Sequence, residues 1–214
     1  MWKNNSVSLK DQVYTRILND IIEGVYKPSE ILNEKPLIEK YGVSKSPVRD
    51  ALIELCKEGV LQSHPRYGYE IVTISKQEVD DIIKFRLILE PECLRQAAGR
   101  IDLHDLRELE EFTENSCRVT EKVSVWQHWE NNKAFHLKLN SYCGNSFCCK
   151  ALKYSMNILT RAYAQMQWDR WKTTYLNMDC EMHLKIVDCL IKGEVDTAVS
   201  ELISDIKEFR QMAR

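Results

Sequence analysis

The sequence predicts a mainly α-helical fold in two parts: three helices and a β-hairpin, then an antiparallel α-helical bundle. Three observations carry this. Apolar residues recur at helical spacing through most of the chain. Two short β-prone runs flank a turn-like Pro65-Arg66-Tyr67-Gly68 segment. After Ile74 the pattern is almost purely helical, broken by single glycines. A chain of 214 residues accommodates two small domains, and the change of pattern sets them at 1–74 and 75–214.

Val13, Ile17 and Ile21, with Tyr14 and Leu18 beside them, form the apolar stripe of a first helix, which Gly24 ends. Asn33 is the expected N-cap of a short second helix through Leu37 and Ile38, stopped by Gly42. Val48, Ala51, Leu52 and Leu55 give a third helix, ended by Gly59. Leu61 to Ser63 and Tyr69 to Thr73 are the strands of the hairpin. Ser75 and Glu78 have the spacing of a capping box and open the bundle's first helix, in which Pro91 is expected to make a kink. Five further helices are expected at about 102–122, 125–143, 146–166, 171–192 and 194–213, with Ser124 as an N-cap and Gly144 and Gly193 as stops. Six helices joined by short loops imply an antiparallel bundle.

Composition sets limits on function. Hydrophobic residues make up 44% and charged residues 29%, the balance of a soluble protein. Residues 1–10 hold no apolar run of the signal-peptide kind, and no stretch is apolar enough to span a bilayer, so a cytoplasmic location without membrane contact is expected. Net charge is −2, and residues 1–74 carry ten Lys and Arg against ten Asp and Glu, so any nucleic-acid binding rests on a few placed cations. None of the eight cysteines forms a C-x-x-C pair. In a reducing compartment they read as small buried hydrophobes, with a redox role for Cys143, Cys148 and Cys149 as the sharper alternative.

The third helix separates into two faces. Its apolar residues face the core, while Lys45, Ser46 and Arg49 lie opposite, near the helix start. A basic, polar helix start suits the major groove of DNA, where Arg49 can hold a guanine edge or a phosphate; the plainer reading is a solvated helix face. Helix, helix-turn-helix and hairpin in succession make a winged helix-turn-helix.

The run Gly42-Val43-Ser44-Lys45-Ser46-Pro47-Val48-Arg49-Asp50-Ala51-Leu52 resembles the recognition signature of the GntR regulators, G-V-S-R-T-P-V-R-E-A-L. Ile22 to Pro28, Glu58-Gly59-Val60-Leu61 and the turn at Gly68 extend the likeness over the first 74 residues. The resemblance implies operator DNA as partner, a homodimer on a near-palindromic site, and DNA contacts from Lys35, Ser44, Lys45, Ser46, Arg49 and Gly68, with Arg66 beside Gly68 in the wing. Lys45 stands where the signature has arginine, which removes a planar fork. Ser29 stands where a glycine is common, with an effect expected to be local.

The second part resembles the FCD type of these regulators, in its six-helix VanR-like form. Phe85-Arg86-Leu87-Ile88-Leu89-Glu90-Pro91 is similar to its R-x-x-x-E-P helix, Asn132-Lys133-Ala134-Phe135-His136 with Gly144-Asn145 to its D-x-x-F-H … G-N segment, and Glu181-Met182-His183 with Gly193-Glu194 to its E-x-H … G-D segment. The resemblance implies a divalent metal held by Asn132, His136, His183 and Asp205, although asparagine replaces the usual aspartate and Asp205 the last histidine. Two imidazoles, a carboxylate and an amide oxygen suit Zn²⁺, Ni²⁺ or Mn²⁺. The alternative is that His136 and His183 are hydrogen-bonded core histidines or meet an effector directly. His128, one turn before Asn132, is either a second support or a surface histidine, and Cys180, three residues before His183, is a conceivable thiolate ligand. Arg86 can pair with an effector carboxylate or form a salt bridge with Glu90. Trp126, Trp129, Trp168 and Trp171 read as packing residues.

The expected function is a DNA-binding transcription regulator controlled by a small organic acid, with a divalent metal as the implied cofactor. The alternatives are a thiol-based redox-sensing regulator and, with less support, a metal-dependent enzyme. The sequence offers no nucleophile–base pair for catalysis, so a non-enzyme is expected.

Overall fold

A computed structural model describes residues 8–117, 125–167 and 178–212. Helix α1 (Leu9–Ile22) starts at Ser8, whose hydroxyl accepts from the Asp11 N–H, and buries Val13, Ile17 and Ile21 as the spacing predicts. A two-residue strand β1 (Ile31–Leu32) follows, then α2 (Glu34–Tyr41), α3 (Lys45–Lys57), β2 (Leu61–His64) and β3 (Gly68–Ile71). The antiparallel sheet has the order β1-β3-β2, with Ser63 opposite Tyr69 and Ile31 opposite Glu70. Gly42 leaves α2 at φ +66°, a left-handed turn that glycine adopts without strain, and the chain enters α3 three residues later.

Two details depart from the expectations. Asn33 holds the N-cap position of α2 but makes no side-chain capping bond. Ser29 takes φ +63°, a left-handed conformation costly for a residue with a Cβ, and its hydroxyl is held 3.1 Å from that of Thr73.

Helix α4 (Lys76–Ala98) starts from the expected Ser75 cap, with the Glu78 N–H bonded to the serine hydroxyl, and runs through Pro91 as one element. It is followed by α5 (Leu103–Cys117), α6 (Val125–Ser141), α7 (Ser146–Gln167), α8 (Met178–Ile191) and α9 (Val195–Met212). Gly144 and Gly193 lie between helices at φ +71° and +75°. The Ser124 cap and the side chains of Trp126, His128, Trp168, Trp171 and Cys180 fall outside the described residues.

The chain divides into two compact units. The first is Met1–Ile74 with Arg161–Trp168, the second Ser75–Thr160 with Asp169–Arg214. The first has an apolar core that includes Val13, Ile17, Leu37, Val48, Leu52, Leu55 and Ile71. Its α7 segment is held by Arg161 Nη1 donating to Gly59 O at 2.8 Å and Gln165 Nε2 donating to Val72 O at 2.9 Å. In the second unit α8 and α9 pack together, α4 packs on α9 and α5 on α8. Trp129 is buried there, as the packing reading expects, and its indole N–H donates to Thr160 Oγ1 at 2.6 Å.

Candidate functional site

The first unit presents its site on the outside. Val48, Ala51, Leu52 and Leu55 bind α3 to the core, which leaves Ser44, Lys45, Ser46 and Arg49 exposed at the start of the helix. Lys35 on α2 and Arg66 in the β2–β3 turn are exposed too. Lys45 Nζ lies 3.3 Å from Glu34 Oε2, and the Ser46 hydroxyl lies 3.4 Å from Asp50 Oδ2. Such exposed contacts are weak and readily exchanged for a phosphate. Arg66 is held at φ +71°, which puts strain at the tip of the hairpin. Gly68 has a structural reason to be glycine. A Cβ there would meet Leu32 O at 2.6 Å and Ile31 Cγ2 at 2.8 Å, so its absence lets β1 lie against β3, and the φ of +124° is one that side chains rarely adopt.

The second unit hides its site. Arg86 and Glu90 on α4, His136 on α6, His183 on α8 and Asp205 on α9 are each only 1–6% exposed. Helical spacing turns these side chains inward among apolar neighbours: Phe135 lies beside His136, with its ring stacked on His183 at 3.8 Å between centroids. Arg86 Nε donates to Glu90 Oε1 at 2.6 Å. The other oxygen of Glu90 is 2.7 Å from His136 Nδ1. On the far side of that ring Nε2 lies 2.9 Å from Asp205 Oδ2, close but misaligned for a hydrogen bond. Asp205 Oδ1 is 3.4 Å from His183 Nε2. The result is a chain in which basic side chains alternate with carboxylates, Arg86–Glu90–His136–Asp205–His183.

Burial works against the charged forms of Glu90, His136 and Asp205, and the partners decide the outcome. Desolvation lowers the His136 pKa, but Glu90 and Asp205 outweigh it and raise it to about 9. Desolvation pushes Glu90 up, and Arg86 and His136 bring it below its ordinary value. Asp205 is likewise pushed up by burial and drawn well below the carboxylate range by His136 and His183.

The structure brings together three of the four residues expected at a metal. The ligand atoms of His136, His183 and Asp205 lie within 4.8 Å of one another. Asn132 stands one turn before His136 on α6 and is half-buried. The donor set fits a borderline divalent cation: two imidazoles and a carboxylate converge, and His136 Nε2 approaches the carboxylate without a hydrogen bond. Glu90 supports the fit, because a carboxylate on Nδ1 orients the ring and leaves Nε2 for the metal. Sequence reasoning missed this role of Glu90. Its one signal was the position of Glu90 four residues after Arg86, which accounts only for the Arg86 pair.

Arg86 makes the expected pair with Glu90, yet its Nη2 is buried with no hydrogen-bond partner. The Asn140 Oδ1, one turn beyond His136 on α6, is in the same condition. Buried groups of this kind are costly unless something completes them.

Comparison with known proteins agrees with both halves. Residues 9–71 match the model of the bacterial regulatory proteins, gntR family, and residues 81–207 match the FCD domain. The HTH-type transcriptional regulator YdhC of Bacillus subtilis is 34% identical over 69% of this chain, a stretch that spans 66% of that protein. The HTH-type transcriptional regulator McbR of Escherichia coli is 28% identical over 71% of this chain and 68% of its own length. A solved structure of E. coli McbR/YncC superposes with a TM-score of 0.79 at 22% identity, over 97% of this chain and 98% of that one, which shows the shared fold. The chain belongs to the GntR family of bacterial regulatory proteins and carries an FCD domain, which makes it a DNA-binding transcription regulator. Among the described residues no helix is long and apolar enough to cross a membrane.

Proposed function

We propose that the operator affinity of this regulator is set by a small carboxylate effector, bound in the buried site beside a divalent cation. Residues 1–74 act as the DNA-binding part and 75–214 as the effector part. His136, His183 and Asp205 hold the cation, with the Asn132 amide oxygen as a weaker fourth ligand. Zn²⁺, Ni²⁺ or Mn²⁺ suits this set, and a bound cation supplies a positive centre for an effector carboxylate. The Arg86 Nη2 offers the effector a second contact. The site binds without catalysing a reaction, and the protein acts in the cytoplasm as a homodimer on a near-palindromic operator, through Lys35, Ser44, Lys45, Ser46, Arg49, Arg66 and Gly68.

One observation carries this reading: three ligand side chains from three helices converge in a buried core, supported by Glu90. A buried ion network is a poor stabiliser, since well-packed apolar residues serve a core as well or better. Its presence here therefore favours a binding role. Binding changes operator affinity through a coupling free energy, typically about 1–3 kcal/mol or roughly 5- to 150-fold.

The test is an anisotropy titration of operator DNA with chelator-treated protein, zinc-loaded protein, and zinc-loaded protein with a panel of short mono- and dicarboxylates. We expect at least one acid to shift the operator Kd about fivefold or more in the zinc-loaded protein, and to lose that effect in His183→Ala. Equal affinity under all conditions would overturn the proposal.

A further inference from the structure

At one end of the bundle four thiols meet from three segments. Cys93 lies on α4, Cys143 in the turn between α6 and α7, and Cys148 and Cys149 in the first turn of α7. Cys93 and Cys143 form a small buried cluster with Ala97, and Cys148 packs against it from a half-buried position. Burial first, and then the neighbouring thiols of Cys143 and Cys148, push the Cys93 pKa up, and burial with Cys143 does the same to Cys149. All four are free thiols.

The surroundings assign different parts to the four sulfurs. The Asn145 N–H points at Cys143 Sγ at 3.4 Å, and Arg100 Nη1 holds the Cys143 carbonyl at 3.0 Å. Cys149 Sγ is bound to Asn140, receiving from Nδ2 at 3.7 Å and donating to the carbonyl at 3.8 Å. Cys143 is thus held within the α6–α7 turn and Cys149 against α6. Cys148 and Cys93 remain as a half-buried thiol with a buried one behind it, on helices 55 residues apart in sequence. Among the described residues the set of ligand atoms close enough to share a metal is His136, His183 and Asp205, and it includes none of these thiols. A thiolate-bound metal needs three or four sulfurs around one centre, whereas a disulfide needs two packed neighbours.

We propose that Cys148 and Cys93 form a peroxide-reactive dithiol site whose substrate is a small hydroperoxide. The Cys148 thiolate attacks the outer oxygen of ROOH. The O–O bond breaks, ROH leaves with a proton from solvent, and Cys148 becomes a sulfenic acid. Cys93 then attacks the Cys148 sulfur, its proton leaves with the displaced hydroxide as water, and an S–S bond forms. In sum two thiols and ROOH give a disulfide, ROH and water; the sulfurs lose two electrons and the peroxide gains them. A dithiol reductant reverses the change. The cross-link lies three residues beyond Glu90 on α4, and Cys149 is bound one turn beyond His136 on α6. This inference stands independently of whether a metal occupies the histidine site.

The experiment uses the full chain, reduced, freed of reductant and exposed to hydrogen peroxide at one to ten equivalents. Remaining thiols are alkylated and peptides mapped by mass. We expect a Cys93–Cys148 disulfide that dithiothreitol removes, with Cys56 and Cys189 still alkylated. Cys93→Ser should leave Cys148 as a sulfenic acid trapped by dimedone, and Cys148→Ser should leave Cys93 reduced at the same dose. Should Cys93→Ser fail to fold by circular dichroism, the wild-type map and Cys148→Ser decide. The proposal is overturned by a disulfide between Cys143 and Cys149, by Cys148 staying alkylatable at ten equivalents, by Cys93 oxidising equally fast in Cys148→Ser, or by thiols that react only after a chelator strips a bound metal.

Discussion

The two units solve opposite problems. In the first, the core cluster is wholly apolar, and the side chains expected to meet DNA stand in water on α2, the start of α3 and the hairpin turn. In the second, charge is buried: Arg86, Glu90, His136, His183 and Asp205 share the interior with Phe135 and the apolar faces of four helices. The contrast teaches where each function is written. A surface that reads DNA needs a rigid core beneath it and exchangeable charges above it. A site that closes around a small ligand needs polar groups prepared in advance within the core, at a cost in stability that an apolar core would avoid.

The largest effect should come from breaking the buried chain. Glu90→Ala leaves the Arg86 guanidinium and the Nδ1 side of His136 without their shared partner, a loss of about 3–5 kcal/mol for an unpaired buried charge. Urea unfolding should show it; a loss below about 1 kcal/mol would mean that water or a rearranged neighbour satisfies both groups. On the other side of the contrast, Arg49→Ala should leave stability within about 0.5 kcal/mol. It should weaken specific operator binding by about 1–3 kcal/mol for each head of a dimer, if Arg49 holds a base edge. A gel-shift assay with intact affinity would remove Arg49 from the interface.

A third change tests the frame that carries the exposed site. Gly68→Ala forces a Cβ into Leu32 O at a strained φ, and should cost about 1–3 kcal/mol while loosening β1. Faster hydrogen exchange at β1 and β3 would report it, and an unchanged exchange pattern would contradict the packing role. The smallest effect should be that of Lys45→Ala, which removes one exposed cation and should lower the salt slope of DNA binding by about one per head. An unchanged slope would show that the Glu34 contact keeps Lys45 from the phosphates.

Local pattern made most of the fold legible. The stripe Val13, Ile17 and Ile21, the faces of α3 and the Ser75 cap depend on neighbours within two turns, and all appear as read. The strand β1 was missed because two residues cannot show alternation. The left-handed Arg66 had no glycine to mark it, and at Ser29 the common glycine was noted but read as a local matter, although a left-handed φ is what a glycine there would signal. At the buried site His136, His183 and Asp205 came from a family likeness, and the structure brings them together. Glu90 as the support of His136 was hidden, because its partner is 46 residues away in sequence while a nearer one, Arg86, already explained it. Cys93 was hidden for the same reason: its thiol neighbours lie on other segments.

Calorimetric titration of zinc into chelator-treated protein decides whether the buried network of the second unit is a cation site. We expect one saturable site per subunit, with a parallel rise in thermal stability of about 2.7 kcal/mol at a hundredfold excess over Kd, and loss of both in His183→Ala. No saturable binding in the wild type, or equal binding in the variant, would contradict it.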